Sequence, residues 1–416
     1  MIEKKVFEKI AEEFGTPTYV YDGELIKERL RVFPREIGIL YAMKANSNPY
    51  ILNLLLDTSR LDQKEFGIDT VSPEEIALAL KIGINANDIL FTGTSVSNEE
   101  LDWVMERGVL VNVESFSLLN KLGKKYKGSE IFVRVNPLQG AGHHQHCITA
   151  GPESKFGIWP NQISEFNKLA RKYDLKIIGV HQHIGSQILD EELFISAVEN
   201  FFKIVLRFRD VKTLRFVDIG GGFGVPYQPG DKPLDMEWLL YGLLERFRKF
   251  CKKEFGRELT LLVEPGRYLV AESGFLLVRV TKREEKPDGK IFIGVDSGFN
   301  HLVRPAMYGS YHEIENISKQ YSTKKEKVIV VGNLCESGDK FSVKKPHLIA
   351  KPEEGDLLII KNAGAYGFSM SSNYNLRRKP AEVIVSRIKI RRGIHLVGTE
   401  IKEIRKRESL KEVIKI

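Results

Sequence analysis

Eight short apolar runs, each ending in a polar or glycine-rich cluster, dominate the chain up to about residue 275. As sequence ranges they are 39–45, 66–72, 89–94, 109–115, 131–137, 177–186, 214–222 and 261–267. The stretches between them have helical periodicity, and residues 72–81 begin with Ser-Pro-Glu-Glu, a helix-start signature. Strands that alternate with helices eight times predict a (β/α)8, TIM-like barrel of class α/β, which we place at residues 36–275.

The rhythm changes after this region to β-branched runs joined by short turns, at 275–281, 290–295, 327–331, 356–361 and 382–386. No long helical pattern intervenes, so we predict a second, all-β domain, a β-sandwich or Greek-key barrel. The early run Thr18–Tyr21 precedes the barrel and is available to add a strand to this domain, which we assign to residues 1–35 plus 276–416. Two domains fit a chain of 416 residues, because a single core stops growing at roughly 250–300 residues.

Composition excludes several classes of function. The chain is 42% hydrophobic and 28% charged, with no run near the ~18 apolar residues of a membrane helix. Its charged N-terminus does not look like a signal peptide, so we expect a cytoplasmic protein with no membrane partner. The net charge of +8 comes from 63 basic and 55 acidic residues spread along the chain, which indicates solvated faces and no nucleic-acid partner.

The cysteines and one lysine are candidates for chemistry. Cys147, Cys251 and Cys335 are odd in number and widely spaced, which argues against a disulfide framework or structural zinc. Lys44 ends the first apolar run, where burial would lower the pKa of its amine and make it a nucleophile toward a carbonyl or aldehyde. The alternative is a lysine that snorkels past the strand end into water. Seen alone, that alternative is the commoner case.

The other strand ends favour the chemical interpretation of Lys44. In a (β/α)8 barrel the active site lies at the C-terminal ends of the strands, and nearly every predicted end carries a polar group. Asp218-Ile-Gly-Gly-Gly222 and Glu264-Pro-Gly266-Arg267 supply glycine turns that can bind an anion. A nucleophilic lysine with a phosphate cradle predicts pyridoxal 5'-phosphate, with Glu264 beside its ring nitrogen. The alternatives are glycine turns without a ligand and an ordinary Glu264–Arg267 ion pair.

Histidines near the sixth strand end have two interpretations. His183 could stack on a planar ring and Ser186 could donate to a phosphate, whereas His181 and His183 could instead bind a metal. No cysteine or carboxylate motif completes a metal set, so we expect no metal. The histidines of the 143–146 segment shape a loop or donate to a ligand.

The second domain carries a thiol, an arginine and two phenols. Cys335 and Glu336 lie on a polar turn, where a thiol suits a proton donor or nucleophile better than a buried structural role. Arg304 can clamp a carboxylate, and Tyr308 and Tyr366 can donate hydrogen bonds. The alternatives are a surface arginine and two packed rings.

Together the motifs resemble the fold-type III pyridoxal-phosphate-dependent decarboxylase family, from about Thr16 to about Arg387. The matching segments begin at Tyr41, Asn112, Arg134, Ser154, His183, Asp218, Glu264, Arg304, Cys335 and Gly364. The resemblance implies that Lys44 bonds to the cofactor and that Cys335 protonates the substrate carbon after CO2 leaves. It implies cofactor contacts from His183, Ser186, Gly222, Glu264, Gly266, Arg267 and Tyr366, and substrate contacts from Arg267, Arg304, Tyr308, Glu336 and Tyr366.

The resemblance also implies a homodimer with shared active sites, because the family residues that match Cys335 and Glu336 reach the cofactor of the other subunit.

The resemblance implies a small amino-acid substrate that ends in both an amine and a carboxylate. Relatives that act on ornithine or arginine commonly use an aspartate to hold a distal cation. The alternative substrates for this chain are ornithine, arginine and carboxynorspermidine. An inactive regulator would be expected to lose Lys44 or Cys335. A barrel racemase would pair the ring nitrogen with arginine instead of Glu264.

The 142–151 loop departs from the family pattern at Ala150. The resemblance therefore does not predict how this loop closes.

Overall fold

The computed structural model describes residues 2–138, 140, 151–392 and 394–414. Cys147, Ala150 and the predicted histidine loop at 143–146 lie outside the described residues. The strands are β1 Thr18–Asp22, β2 Ile37–Ala42, β3 Phe66–Thr70, β4 Ile89–Phe91, β5 Leu110–Val113, β6 Glu130–Arg134, β7 Lys176–His181, β8 Phe216–Asp218, β9 Thr260–Val263, β10 Gly274–Glu285, β11 Ile291–Val295, β12 Ile314–Asn316, β13 Lys325–Val331, β14 His347–Ala350, β15 Leu357–Ile360, β16 Ala381–Arg392 and β17 Ile394–Arg405.

The α-helices in these ranges are α1 Lys4–Phe14, α2 Gly23–Arg31, α3 Pro49–Leu61, α4 Pro73–Lys81, α5 Asn98–Met105, α6 Phe116–Lys125, α7 Ile163–Lys172, α8 Glu191–Val205, α9 Met236–Glu254, α10 Arg267–Val270, α11 Arg304–Tyr308 and α12 Leu410–Ile414. The predicted helix start at residue 72 is confirmed, because the Ser72 hydroxyl accepts the Glu75 N–H as an N-cap. None of the described helices has both the length and the apolar character needed to cross a bilayer.

The chain divides into two compact units. We call Leu30–Val225 with Lys232–Tyr268 the barrel unit, and Met1–Arg29, Pro226–Asp231 and Leu269–Ile416 the sheet unit. The predicted domain boundaries, at residues 36 and 275, differ by several residues from these limits and stay predictions. The short segment 226–231 belongs to the sheet unit, although the sequence analysis places it within the barrel.

The barrel unit contains a closed parallel barrel of β2 to β9, as the eight apolar runs predict. Closure comes from β9 pairing with β2, with Ile37 opposite Leu261 and Ile39 opposite Val263. A buried cluster of Leu90, Phe132, Ile178 and Leu262 packs together within it. Each of these apolar residues precedes the last residue of its strand, and the polar residues Arg134, His181 and Glu264 lie at or directly after the C-terminal strand ends.

The sheet unit contains a mixed sheet in the order β14-β13-β11-β10-β1-β16-β17, with β15 paired to β10 and β12. The prediction that Thr18–Tyr21 adds a strand here is confirmed, since β1 lies between β10 and β16. The fold class predicted from the sequence is therefore confirmed, a barrel followed by a separate β domain. The domain is not purely β, because Phe7 and Ile10 of α1 pack with Leu277 and Ile359 of the sheet.

Candidate active site

Lys44 lies at the C-terminal end of β2, on a single 3-10 turn, Met43–Ala45. Met43 and Ala45 are buried, but the Lys44 side chain is 40% exposed. Its Nζ lies 2.8 Å from Oδ2 of Asp69, whose side chain is 1% exposed. The prediction of a buried amine is thus wrong, because the lysine is partly open and is held by a buried carboxylate. Asp69 has its pKa raised by burial and by Glu264, and the Lys44 charge opposes that rise.

A buried cluster of Glu264, Asp218 and His181 lies in the interior of the barrel. Side chains two positions apart on a strand lie on the same face. Asp218 is two residues after Phe216, and Glu264 is two residues after Leu262. Phe216 and Leu262 pack in the same apolar cluster, so the two carboxyl groups lie on the same side of the sheet as that cluster. One ligand atom from each of the three cluster residues lies within 4.8 Å of the other two. Two neighbouring buried carboxyl groups favour a cation between them, whether a metal ion or a protonated ring nitrogen.

The electrostatics of this cluster follow from its burial. Burial raises the pKa of Glu264 to about 7, against the opposing charges of Lys44 and Arg134. Burial first, and Glu264 second, raise the pKa of Asp218 well above its ordinary value. The pKa of His181 is lowered well below the ordinary value, again by burial first, so its imidazole is neutral and donates from Nε2 to Glu264 Oε2 at 3.2 Å. His181 therefore holds one oxygen of Glu264 in place.

His183 and the glycine turn after β8 are joined directly. The Gly221 N–H donates to His183 Nδ1 at 3.3 Å, so the proton of the neutral ring is on Nε2. Burial lowers the pKa of His183 well below its ordinary value, with Lys44 adding to the effect. Gly220 has φ +72°, and a Cβ there would lie 2.3 Å from the Gln182 carbonyl oxygen. Only glycine fits this turn, which fixes the ring of His183 against the backbone.

The second predicted turn, after β9, adjoins both the lysine turn and Ser186. A Cβ on Gly266 would lie 3.1 Å from the Cβ atoms of Ala42 and Ala45, which flank Lys44. Arg267 is 5% exposed and donates from Nη2 to Ser186 Oγ at 3.0 Å. The structure thus brings together the barrel residues predicted for the cofactor, at the C-terminal strand ends.

Arg304 of the sheet unit is surrounded by aromatic rings. It is 2% exposed, so the alternative of a surface arginine is excluded. Its guanidinium carbon lies 5.0 Å from the ring centroid of Tyr227 and 6.0 Å from those of Tyr308 and Tyr366. Tyr366 has φ +57°, a left-handed conformation that non-glycine residues rarely adopt and that often marks functional sites. A fixed, buried guanidinium among phenols suits a carboxylate.

Cys335 is exposed on a turn after β13, as predicted. Asp339 organises this turn, because its two oxygens accept the N–H groups of Phe299 at 2.7 Å and Leu334 at 2.8 Å. The Cys335 N–H donates to Asn375 Oδ1 at 3.0 Å. The neighbouring Glu336 accepts a hydrogen bond from the Tyr374 hydroxyl, which raises the pKa of that phenol. The backbone that carries the thiol is therefore fixed by hydrogen bonds to Asp339 and to Asn375.

Sequence reasoning missed several residues that the structure places at these sites. Asp69 is one of the polar residues at the predicted strand ends, and its pairing with Lys44 has no local signal in the sequence. His181 is interpreted from the sequence only as a possible metal ligand, and nothing near it in sequence indicates its hydrogen bond to Glu264, which follows β9. Tyr227 lies far from Arg304 in sequence, and His312 does not belong to any sequence motif.

Comparison with known proteins gives the class. Residues 24–271 match the family model described as pyridoxal-dependent decarboxylase, pyridoxal binding domain. That segment covers the barrel with Lys44, His183 and Glu264. The chain is therefore a pyridoxal-dependent decarboxylase, a carboxy-lyase that acts on a small amino acid.

The full chain resembles one branch of this class. It is 42% identical to diaminopimelate decarboxylase of Methanothermobacter thermautotrophicus, over 92% of this chain and 89% of the relative. It is 34% identical to diaminopimelate decarboxylase of Escherichia coli strain K12, over 98% and 94%. The crystal structure of diaminopimelate decarboxylase from Helicobacter pylori complexed with L-lysine superposes with a TM-score of 0.85 at 34% identity, over 98% of both chains. The chain belongs to the diaminopimelate decarboxylase family.

The cofactor of this class is pyridoxal 5'-phosphate, and the residues of the barrel unit fit it. Oε1 of Glu264 is buried and has no hydrogen-bond partner among the described residues, as expected for an acceptor that faces a ring nitrogen. Gly222 has φ +114°, and a Cβ there would lie 2.9 Å from the Gly185 carbonyl oxygen. The turn thus keeps its backbone open to a phosphate.

Proposed function

We propose that this chain decarboxylates meso-2,6-diaminopimelate to L-lysine and CO2, the last step of lysine biosynthesis, as a cytoplasmic enzyme. The observation that carries the substrate assignment is the buried Arg304 guanidinium among tyrosines. A fixed cation favours a substrate that ends in a carboxylate beside its amine. The same cation would repel ornithine or arginine, which end in a positive charge.

The residues of the barrel unit have roles that follow from their surroundings. When bound, pyridoxal phosphate supplies an aldehyde that bonds to amines and a ring that accepts the electron pair left by CO2. Lys44 supplies the amine, and Asp69 orients it. Glu264 would offer a carboxylate oxygen to the ring nitrogen, because its other oxygen is held by His181. His183 would stack on the ring, and Ser186, Gly222, Gly266 and Arg267 would hold the phosphate or its surroundings.

The residues of the sheet unit complete the proposal. Arg304, Tyr308 and Glu336, with Arg267 and Tyr366, hold the distal carboxylate and amine of the substrate. Cys335 donates a proton to the carbon that loses CO2, because its thiol is exposed on an ordered turn. Lys44 and Cys335 are the catalytic residues of this proposal.

The activity is tested with purified protein, added pyridoxal phosphate and meso-diaminopimelate. We expect L-lysine and CO2 in equal amounts, together with a visible absorption band from bound cofactor. Lys44→Ala is expected to lose both the band and the activity. Retention of full activity by that variant would contradict the role of Lys44.

We also propose a homodimer in which Cys335 and Glu336 act at the partner's site. The proposal rests on the family resemblance and on the exposure of the Cys335 turn. Lys44→Ala and Cys335→Ala are each expected to be inactive as homodimers. Random mixing of the two should restore about a quarter of the wild-type activity, because half of the dimers are mixed and each has one intact site. A mixture that exchanges subunits and stays inactive would refute shared sites.

A further inference from the structure

Arg304 is held by polar groups that the turn after α11 brings back to it. Gly309 ends the helix in the left-handed region, with φ +58°, so the chain reverses directly after the helix. Ser310 Oγ then accepts from Arg304 Nη2 at 3.2 Å. His312 Nε2 lies 3.4 Å from Arg304 Nε. Two different nitrogens of the guanidinium therefore contact the segment that follows it.

The hydrogen bonds of His312 fix its protonation. Its Nδ1 lies 2.8 Å from the backbone carbonyl oxygen of Lys361. A carbonyl oxygen only accepts, so the proton is on Nδ1, and the Nε2 lone pair of the neutral ring accepts from Arg304. Pairing of β12 with β15 sets this arrangement, since the Lys361 N–H also donates to the Glu313 carbonyl oxygen at 2.9 Å.

The surroundings of His312 leave its ring little freedom. The residue is fully buried, and the Tyr227 ring meets it edge-on at 5.2 Å between centroids. Its own carbonyl oxygen accepts from His347 Nε2 at 2.9 Å, and His347 Nδ1 lies 2.8 Å from Ser342 Oγ. Both the backbone and the ring of His312 are thus fixed before any ligand binds.

We propose that His312 is a positioning residue that fixes the Arg304 guanidinium for the distal carboxylate of the substrate. This inference rests on the proposed function. An arginine is long and flexible, so one that is already ordered loses less entropy when it binds a carboxylate. Because Arg304 Nε donates to His312 Nε2, His312 also sets the plane of the guanidinium group. That plane decides how two parallel hydrogen bonds to a carboxylate can form.

The test separates the acceptor of His312 from its bulk. His312→Leu and His312→Gln have similar volumes and both lose the ring contact to Lys361, but only glutamine offers Arg304 an acceptor. The ligands are L-lysine, which keeps the distal amine and carboxylate of the substrate, and cadaverine, the same chain without the carboxylate. Dissociation constants are measured on the cofactor-loaded protein from the change in cofactor absorption.

We expect His312→Leu to weaken L-lysine binding at least tenfold, which is about 1.4 kcal/mol. Cadaverine binding should stay within about twofold, and His312→Gln should recover most of the L-lysine affinity. The KM for meso-diaminopimelate should rise more than kcat falls. If the leucine variant does not fold, His312→Asn gives the same comparison, because its amide N–H can replace Nδ1 as the donor to the Lys361 carbonyl oxygen, while the shorter side chain places no acceptor at the position of Nε2.

A matched control is His301→Leu. His301 is also buried and is hydrogen-bonded through both ring nitrogens, to Ser297 and to the Arg378 carbonyl oxygen. We expect its loss to lower the melting temperature without changing the ratio of L-lysine to cadaverine affinity. Unchanged L-lysine affinity in His312→Leu, an equal loss for both ligands, or no recovery in His312→Gln would each overturn the inference alone. A wild-type protein that prefers ornithine would overturn the proposed function and the inference with it.

Discussion

Glu264 should make the cofactor-free protein less stable at neutral pH than at mildly acidic pH. Its side chain is 5% exposed, and burial raises its pKa to about 7. In the unfolded chain a glutamate ionises near pH 4.3, so between these values the folded protein binds the extra proton. Stability therefore falls as pH rises through this window and stays lower above it.

The size of the effect follows from the shift. A rise of roughly 2.5 pKa units at about 1.4 kcal/mol per unit gives a full effect of about 3.5 kcal/mol, of which about 2.5 kcal/mol is lost between pH 5 and pH 8. Glu264→Gln keeps the shape of the side chain and removes its titration. In urea unfolding of cofactor-free protein, we expect the glutamine variant to gain about 2.5 kcal/mol relative to wild type over that range.

Two controls make this result specific to the site. In the cofactor-loaded protein the protonated ring nitrogen supplies a partner for Glu264, so the gain from glutamine should disappear. Glu245→Gln removes an exposed glutamate whose pKa is lowered by Lys249, and it should show no comparable gain toward pH 8. A difference between wild type and Glu264→Gln that is the same at pH 5 and pH 8 would refute the reasoning.

Two further changes probe the turns. Gly220→Ala should lower the free energy of unfolding by roughly 2 kcal/mol or more and should weaken cofactor binding. The reason is that a Cβ at this position would lie 2.3 Å from the Gln182 carbonyl oxygen. A urea titration that shows unchanged stability would contradict this. Asp339→Ala removes both acceptors that hold the Cys335 turn. We expect it to lower kcat at least tenfold while the absorption band of bound cofactor stays, and normal kcat would show that the turn needs no such support.

The barrel could be predicted because each of its strands carries its own signal. A parallel strand buried on both faces reads as a continuous apolar run, and the helix between two strands has its own period. The order of strands in the sheet unit had no such signal. β1 pairs with β10 and β16, more than 250 residues further along the chain, and local pattern does not encode partners at that separation.

The candidate site was predictable to the extent that its residues end strands or lie in motifs. Lys44, Glu264 and Cys335 were found in this way, and the structure places each on an ordered strand end or turn. The environment of Lys44 was not predictable, because its ion-pair partner Asp69 comes from a different strand, β3. The contact of His312 with Arg304 was equally hidden, since it depends on a left-handed glycine and a strand pair.

Substrate preference tests the central claim most directly. The ratio kcat/KM should be measured with the cofactor-loaded protein for meso-diaminopimelate, ornithine, arginine and lysine under one set of conditions. The buried Arg304 predicts that meso-diaminopimelate is preferred over each of the others by at least a hundredfold, or about 2.7 kcal/mol. A higher kcat/KM for ornithine or arginine would contradict the assignment, even though the fold and the cofactor site would stand.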